Sequence, residues 1–198
     1  MHRSLTVVVA VMLLTGAGRA SGQAPAPAGA AADLPLVVRA GAAAGPLQVT
    51  LFCDIEVEAC QRVVVVFRRV VETYPEQVGV TFRHRAAEGH KQSPLAYRSA
   101  LAAARQGKGW EMLDMVCANP DRLTDAGLRS MAAQLQIDVD RFVSDIEAAD
   151  VAQVLEDDAK EAETLKVASV PAVLLNGTRV PDTSTFDAID TAIRAAIK

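Results

Sequence analysis

Leu47-Gln-Val-Thr-Leu-Phe-Cys53, followed by Asp54-Ile-Glu56 and Val57-Glu-Ala-Cys60, is the stretch on which the fold turns. The first seven residues are apolar and rich in β-formers, bounded by Gly45-Pro46 before and by acids after, and they predict a buried strand. From Glu58 to Tyr74, Val63, Val66, Phe67, Val70 and Val71 recur at helical spacing, with Arg62, Arg68, Arg69 and Glu72 on much of the remaining surface. The four consecutive valines Val63–Val66 pull locally towards strand. Segment length, Pro75 and a second strand pattern at Val78–His84 decide for helix. Strand, helix, strand with short joints is a βαβ unit, expected to be right-handed.

Outward from this unit the pattern changes twice. Residues from Pro94 to about Lys166 predict helices at Leu95–Arg105, Trp110–Cys117, Thr124–Leu135, Val139–Ala149 and Val151–Leu165. Thr124 and Asp138 are suited to be N-caps. Two apolar runs, Pro171–Leu175 and Thr178–Val180, then flank Asn176-Gly177, a strong hairpin signal. An amphipathic helix from Thr185 to Ile197 follows through Phe186, Ile189 and Ile193. The predicted architecture is α/β, βαβ then ββα, with a helical insertion of about 70 residues between the halves.

This order resembles the DsbA-like branch of the thioredoxin fold, and local sequence carries the resemblance over nearly all of the domain. Phe82-Arg-His84, His90, Ala96, Ala100–Ala104, Gln106-Gly-Lys108 and Trp110-Glu-Met112 are similar to that family's entry into its helical insert. Asn119, Leu135 and Val139-Asp-Arg-Phe142 continue it, and Val167–Gly177 resembles the segment bearing the family's cis-proline, here Pro171. The resemblance implies a thiol:disulfide oxidoreductase-like protein with a Cys-x-x-Cys motif at the start of its first helix.

At that motif the sequence departs from the family. The aligned residues are Val57-Glu58-Ala59-Cys60: the second cysteine is kept and the attacking one is valine. A dithiol mechanism needs an exposed thiolate to attack a disulfide and a neighbouring thiol to resolve the mixed disulfide. Position 57 can do neither. Asp54, Glu56 and Glu58 favour the helix dipole but disfavour a thiolate. Where the family often carries a buried proton-transferring acid, this chain has Leu51.

The other candidates are fewer. Cys53 and Cys60 are either a disulfide or two small buried apolar side chains, and Cys117 reads as a core residue. His84, His90 and Cys60 would number enough for zinc or copper, but no metal-ligand spacing supports a site. No metal and no cofactor are expected. Glu156, Asp157, Asp158, Glu161 and Glu163 read as the solvated face of a helix.

The chain of 198 residues is 51% hydrophobic, so it is not wholly disordered, and its net charge of −4 excludes a basic nucleic-acid footprint. His2, Arg3, the apolar run Leu5–Leu14 and the small residues ending at Ala20 or Gly22 read as an export signal over residues 1–22. Residues 23–45, rich in Ala, Pro and Gly, read as a tether in which Leu34–Arg39 could add a short edge strand; the domain is expected over 46–198, with the insert at about 94–166. No stable membrane span is expected after cleavage, and the compartment is periplasmic or extracellular. The expected activity is non-covalent binding of a peptide or client protein in a groove formed by Val57, Glu58, Ala59, Val170 and Pro171. The rival is a residual oxidoreductase or isomerase acting through Cys60. The sequence does not give the oligomeric state.

Overall fold

The computed structural model describes residues 36–181, 183 and 185–197. The export signal at 1–22 and the tether as far as residue 35 lie outside the described residues. Strand β1 (Val38–Gly41) opens the described chain, followed by β2 (Leu47–Cys53), helix α1 (Glu58–Thr73) and β3 (Val78–His84). Helices α2 (Gln92–Ala104), α3 (Gly109–Ala118), α4 (Asp125–Gln134), α5 (Val139–Ile146) and α6 (Ala149–Thr164) form the insert. β4 (Ala172–Leu175), β5 (Thr178–Arg179) and α7 (Phe186–Ile197) follow.

The strands form one sheet in the order β1-β3-β2-β4-β5, with β2 and β3 parallel and the other pairings antiparallel. The βαβ … ββα layout with its helical insertion is therefore the observed fold. Strand β1 pairs with β3 from Val38↔Phe82 to Gly41↔Gly79. A short edge strand expected at Leu34–Arg39 within the tether is thus seen at Val38–Gly41, shifted towards the domain. Val38 is fully buried against the sheet's main face.

Register explains which face of the sheet holds what. Leu47, Val49, Leu51 and Cys53 lie opposite Val78, Val80, Phe82 and His84, so these side chains share one face. Phe52 points the other way, into a smaller cluster with Ala162, Val167, Ala172 and Leu174. Helix α1 buries Cys60, Val63, Val64, Phe67 and Val70. Full burial of Phe67 is worth about 2–3 kcal/mol. Four successive valines cannot all face inward on a helix, and Val65 is the one left out, at 61% exposed.

The cap and turn expectations hold. Thr124 Oγ1 accepts from Gly127 N–H at 3.2 Å and Asp138 Oδ1 from Arg141 N–H at 2.9 Å. Asn176 and Gly177 both have positive φ, 46° and 80°, as the tight hairpin between β4 and β5 requires. Asn176 Oδ1 also accepts the Gln48 N–H at 2.8 Å, tying the hairpin to the start of β2.

Candidate functional site

The carboxyl ends of parallel strands β2 and β3 converge on the start of α1, where α/β folds commonly place their chemistry. Val57 is the α1 N-cap, extended at φ −91° and ψ 117°, with no side-chain cap bond. Its N–H donates to the Asp54 carbonyl at 3.0 Å and its carbonyl accepts from Cys60 N–H at 2.8 Å. The side chain, half-buried, packs against the core. Leu51, where a proton-transferring acid would stand, is fully buried.

The thiols lie behind Val57 rather than on the surface. Cys53 is 0% and Cys60 1% exposed, both lie in the same buried core, and Cys60 Sγ accepts from Asp54 N–H at 3.3 Å. Burial pushes the Cys53 thiol well above its ordinary value, and Cys60 beside it adds to the shift. Burial, reinforced by Asp114, pushes Cys117 up to about 12. All three cysteines are free, so Cys53 and Cys60 stand here as neighbouring thiols rather than as a bond.

Asp54 is the polar centre of the region. Fully buried, it accepts from Glu56 N–H at 3.0 Å and Ala87 N–H at 2.8 Å, and its Oδ2 lies 2.6 Å from His90 Nδ1. Burial alone would raise its pKa, but these hydrogen bonds outweigh it and hold the carboxyl below the usual value. The hydrogen bond to Asp54 raises His90. Glu56 Oε2 accepts the N–H groups of Gln92 and Ser93 at 2.9 and 2.8 Å, satisfying the start of α2. The Asp54–Glu56 turn is thereby stapled to the loop after β3. Ligand atoms of Asp54, Glu56 and His90 lie within 4.8 Å of one another, a set different from the Cys60, His84 and His90 combination weighed in the sequence. Backbone N–H groups and His90 itself already occupy these carboxylates, closing the cluster on itself.

Beside it lies a second polar group. His84 is 6% exposed and stacks on Tyr97 at 5.4 Å between ring centroids. Burial lowers its pKa to about 4. Asp158 accepts the His84 N–H at 2.8 Å and Arg83 Nη1 at 2.8 Å, and Arg83 also pairs with Glu161 at 3.1 Å. The reading of Glu156, Asp157, Asp158, Glu161 and Glu163 as a solvated face fails at Asp158, which is 0% exposed, while Glu156, Asp157 and Glu163 are exposed. Val151, Leu155, Asp158 and Ala162 recur at intervals of four, three and four, the spacing that would have placed Asp158 on the inward face. No comparable pattern marks Asp54, whose partners come from a separate loop.

Two of the expected groove residues, Val170 and Glu58, border separate clefts. Val170 borders a cleft of about 430 Å³ between Val167–Val170 and Arg85–Glu88. Glu58 borders another, of about 410 Å³, with Arg62, Arg68, Asp114 and Cys117 along α1 and α3. Val57 and Val170 both pack on the main core, Ala59 is half-buried, and the Val170–Pro171 peptide bond is cis. Among the described residues, no hydrogen bond engages the N–H of Ala168, Ser169 or Val170. That segment leads, through Pro171, into β4.

Comparison with known proteins gives a consistent picture. Residues 49–194 match the model of the DSBA-like thioredoxin domain. The chain superposes on oxidised BdbD from Bacillus subtilis with a TM-score of 0.72 at 17% identity, covering 81% of this chain and 92% of that one. A thioredoxin-like oxidoreductase from Silicibacter pomeroyi DSS-3 gives 0.68 at 24% identity, covering 81% and 94%. Among curated proteins, the Na(+)/H(+) antiporter NhaA 3 of Salinispora tropica is 29% identical over 152 residues, 76% of this chain but 23% of that protein's length. The chain therefore corresponds to less than a quarter of that relative.

Proposed function

Because the chain belongs to the DSBA-like thioredoxin domain family, we propose that it acts as an exported family member without the catalytic dithiol, binding an extended peptide or client protein non-covalently. One observation carries this reading: the family's attacking-thiol position is Val57, and Cys60 behind it is 1% exposed. No accessible sulfur stands at the helix start to open a substrate disulfide. The N–H groups of Ala168–Val170, unbonded among the described residues, can still pair with an extended peptide, a mode of recognition that needs no thiol. Export rests on the N-terminal pattern of residues 1–22.

The nearness of Cys53 and Cys60 favours a second reading, a residual oxidoreductase using Cys60 with Cys53 as resolving thiol. Two measurements separate them. Insulin reduction is expected at background for wild type and for Cys60→Ser alike. A denatured, carboxymethylated protein, which offers no sulfur for exchange, is expected to bind saturably to both. Insulin reduction well above background that disappears in Cys60→Ser, with no binding of the blocked client, overturns the binding reading in favour of catalysis.

A further inference from the structure

Cys53 ends β2, Cys60 lies in the first turn of α1, and the chain between them turns back on itself through Asp54–Glu58. The Asp54 N–H reaches Cys60 Sγ at 3.3 Å. Since that nitrogen is bonded to the carbonyl carbon of Cys53, Cys60 sulfur lies within about 6 Å of Cys53 Cα by backbone dimensions alone. Both side chains are buried in the same hydrophobic core. Cys117, the third cysteine, sits on a different helix and borders the cleft along α1.

We propose that Cys53 and Cys60 form an internal disulfide when the chain folds under oxidising conditions, leaving Cys117 reduced. The bond would pin the end of β2 to the first turn of α1. The same turn is held from its other side by Asp54 and Glu56 through the loop after β3. The oxidant is a low-molecular-weight disulfide. One cysteine, as thiolate, attacks a sulfur of that molecule, forming a mixed disulfide and releasing one thiolate. The other cysteine then loses its proton and attacks the chain sulfur, forming the internal bond and expelling the second thiol. Two electrons and two protons pass from the chain to the oxidant. Both sulfurs are shielded once α1 is packed, so exchange takes place during folding, before that turn closes. A bond buried in this way resists reduction afterwards, which makes it structural rather than catalytic. It does not rest on the peptide-binding reading, and its test uses a separate readout.

Sequence makes that test direct. Trypsin releases Ala40–Arg62 with both cysteines in one peptide, and Gly109–Arg122 with Cys117 alone. The full chain is refolded in oxidised and reduced glutathione, alkylated under denaturing conditions, digested and weighed. The expected result is an unalkylated Ala40–Arg62 peptide about 2 Da lighter than its dithiol form, beside an alkylated Cys117. Thermal melting is expected about 5 °C higher than for the reduced protein, a difference that persists in Cys117→Ser. Alkylation of both Cys53 and Cys60, a cross-link joining the two peptides, or a persistent glutathione adduct on either cysteine would overturn the proposal. The mass measurement on wild type decides the matter even where a cysteine variant fails to fold.

Discussion

Asp54 Oδ2 and His90 Nδ1 meet at 2.6 Å, joining the turn that precedes α1 to the loop that follows β3. Asp54 is fully buried and His90 about one-third exposed. The pair does for this fold what a linker of covalent atoms would do, since Ala87 N–H and Glu56 N–H converge on the same carboxylate. Asp54→Ala strands those donors, and a loss of about 2–4 kcal/mol is expected in urea denaturation. His90→Gln is expected to cost much less, because the backbone donors keep their acceptor.

The pair also fixes a pH window. The folded pKa of Asp54 is lowered, so its contribution is present above the unfolded value near 3.8 and is lost as pH falls through the folded one. The folded pKa of His90 is raised, so its contribution is complete below the unfolded value near 6.5 and is lost as pH rises through the folded one. Proton NMR of the imidazole ring is expected to show His90 titrating above 6.5, and to show that elevation abolished in Asp54→Asn. A midpoint for His90 at or below 6.5 in wild type would contradict the pairing.

His84 titrates in the opposite sense. Its folded pKa of about 4 lies below the unfolded 6.5, so the unfolded chain takes up a proton that the folded chain refuses between those values. Stability is expected to fall from pH 6.5 to pH 4 by on the order of 3 kcal/mol on this account. His84→Phe, which keeps an aromatic surface for Tyr97, is expected to flatten that slope in denaturation curves taken across the range.

Asp158 separates the value of a hydrogen-bond acceptor from the value of a charge. Burial raises its pKa despite the His84 N–H and Arg83 partners, so ionisation here is costly. Asp158→Ala leaves the His84 N–H without its acceptor and the Arg83 guanidinium with Glu161 alone, and is expected to cost about 3 kcal/mol. Asp158→Asn retains an acceptor oxygen and is expected to cost clearly less. Equal losses in the two variants would mean that the charge itself carries the interaction.

What the sequence disclosed depended on how far apart the interacting residues lie. Leu47–Cys53 and Val78–His84 became strands with the predicted bounds, because strand propensity and apolar content are properties of adjacent residues. The helix over the four valines was legible from length and flanking punctuation, and Val65 facing solvent is the price of that run. Asp54 could be read only as a charge near a helix start. Its role depends on Ala87 and His90, which reach it once two loops close over the ends of parallel strands. Val57 was the opposite case: the missing sulfur is visible in the sequence, whereas the burial of Cys60 behind it required the structure.

That burial suggests a restoration experiment. Val57 sits half-buried at the N-cap of α1, with its backbone already in the extended conformation of a cap residue. Val57→Cys would recreate Cys-x-x-Cys with Cys60, placing a sulfur where the helix dipole lowers thiol pKa. Glu56 and Glu58 beside it work against that lowering, as does Leu51 in place of a proton-transferring acid. In protein refolded and kept in reductant, so that Cys60 is not held in a bond to Cys53, insulin reduction is therefore expected to rise well above the wild-type background in Val57→Cys, and to rise further when Leu51→Glu is added to it. Loss of the gain in Val57→Cys with Cys60→Ser would show that both sulfurs of the motif are engaged. No gain at all in a folded Val57→Cys protein would place the block elsewhere, in the access to the buried Cys60 rather than in the missing attacking thiol.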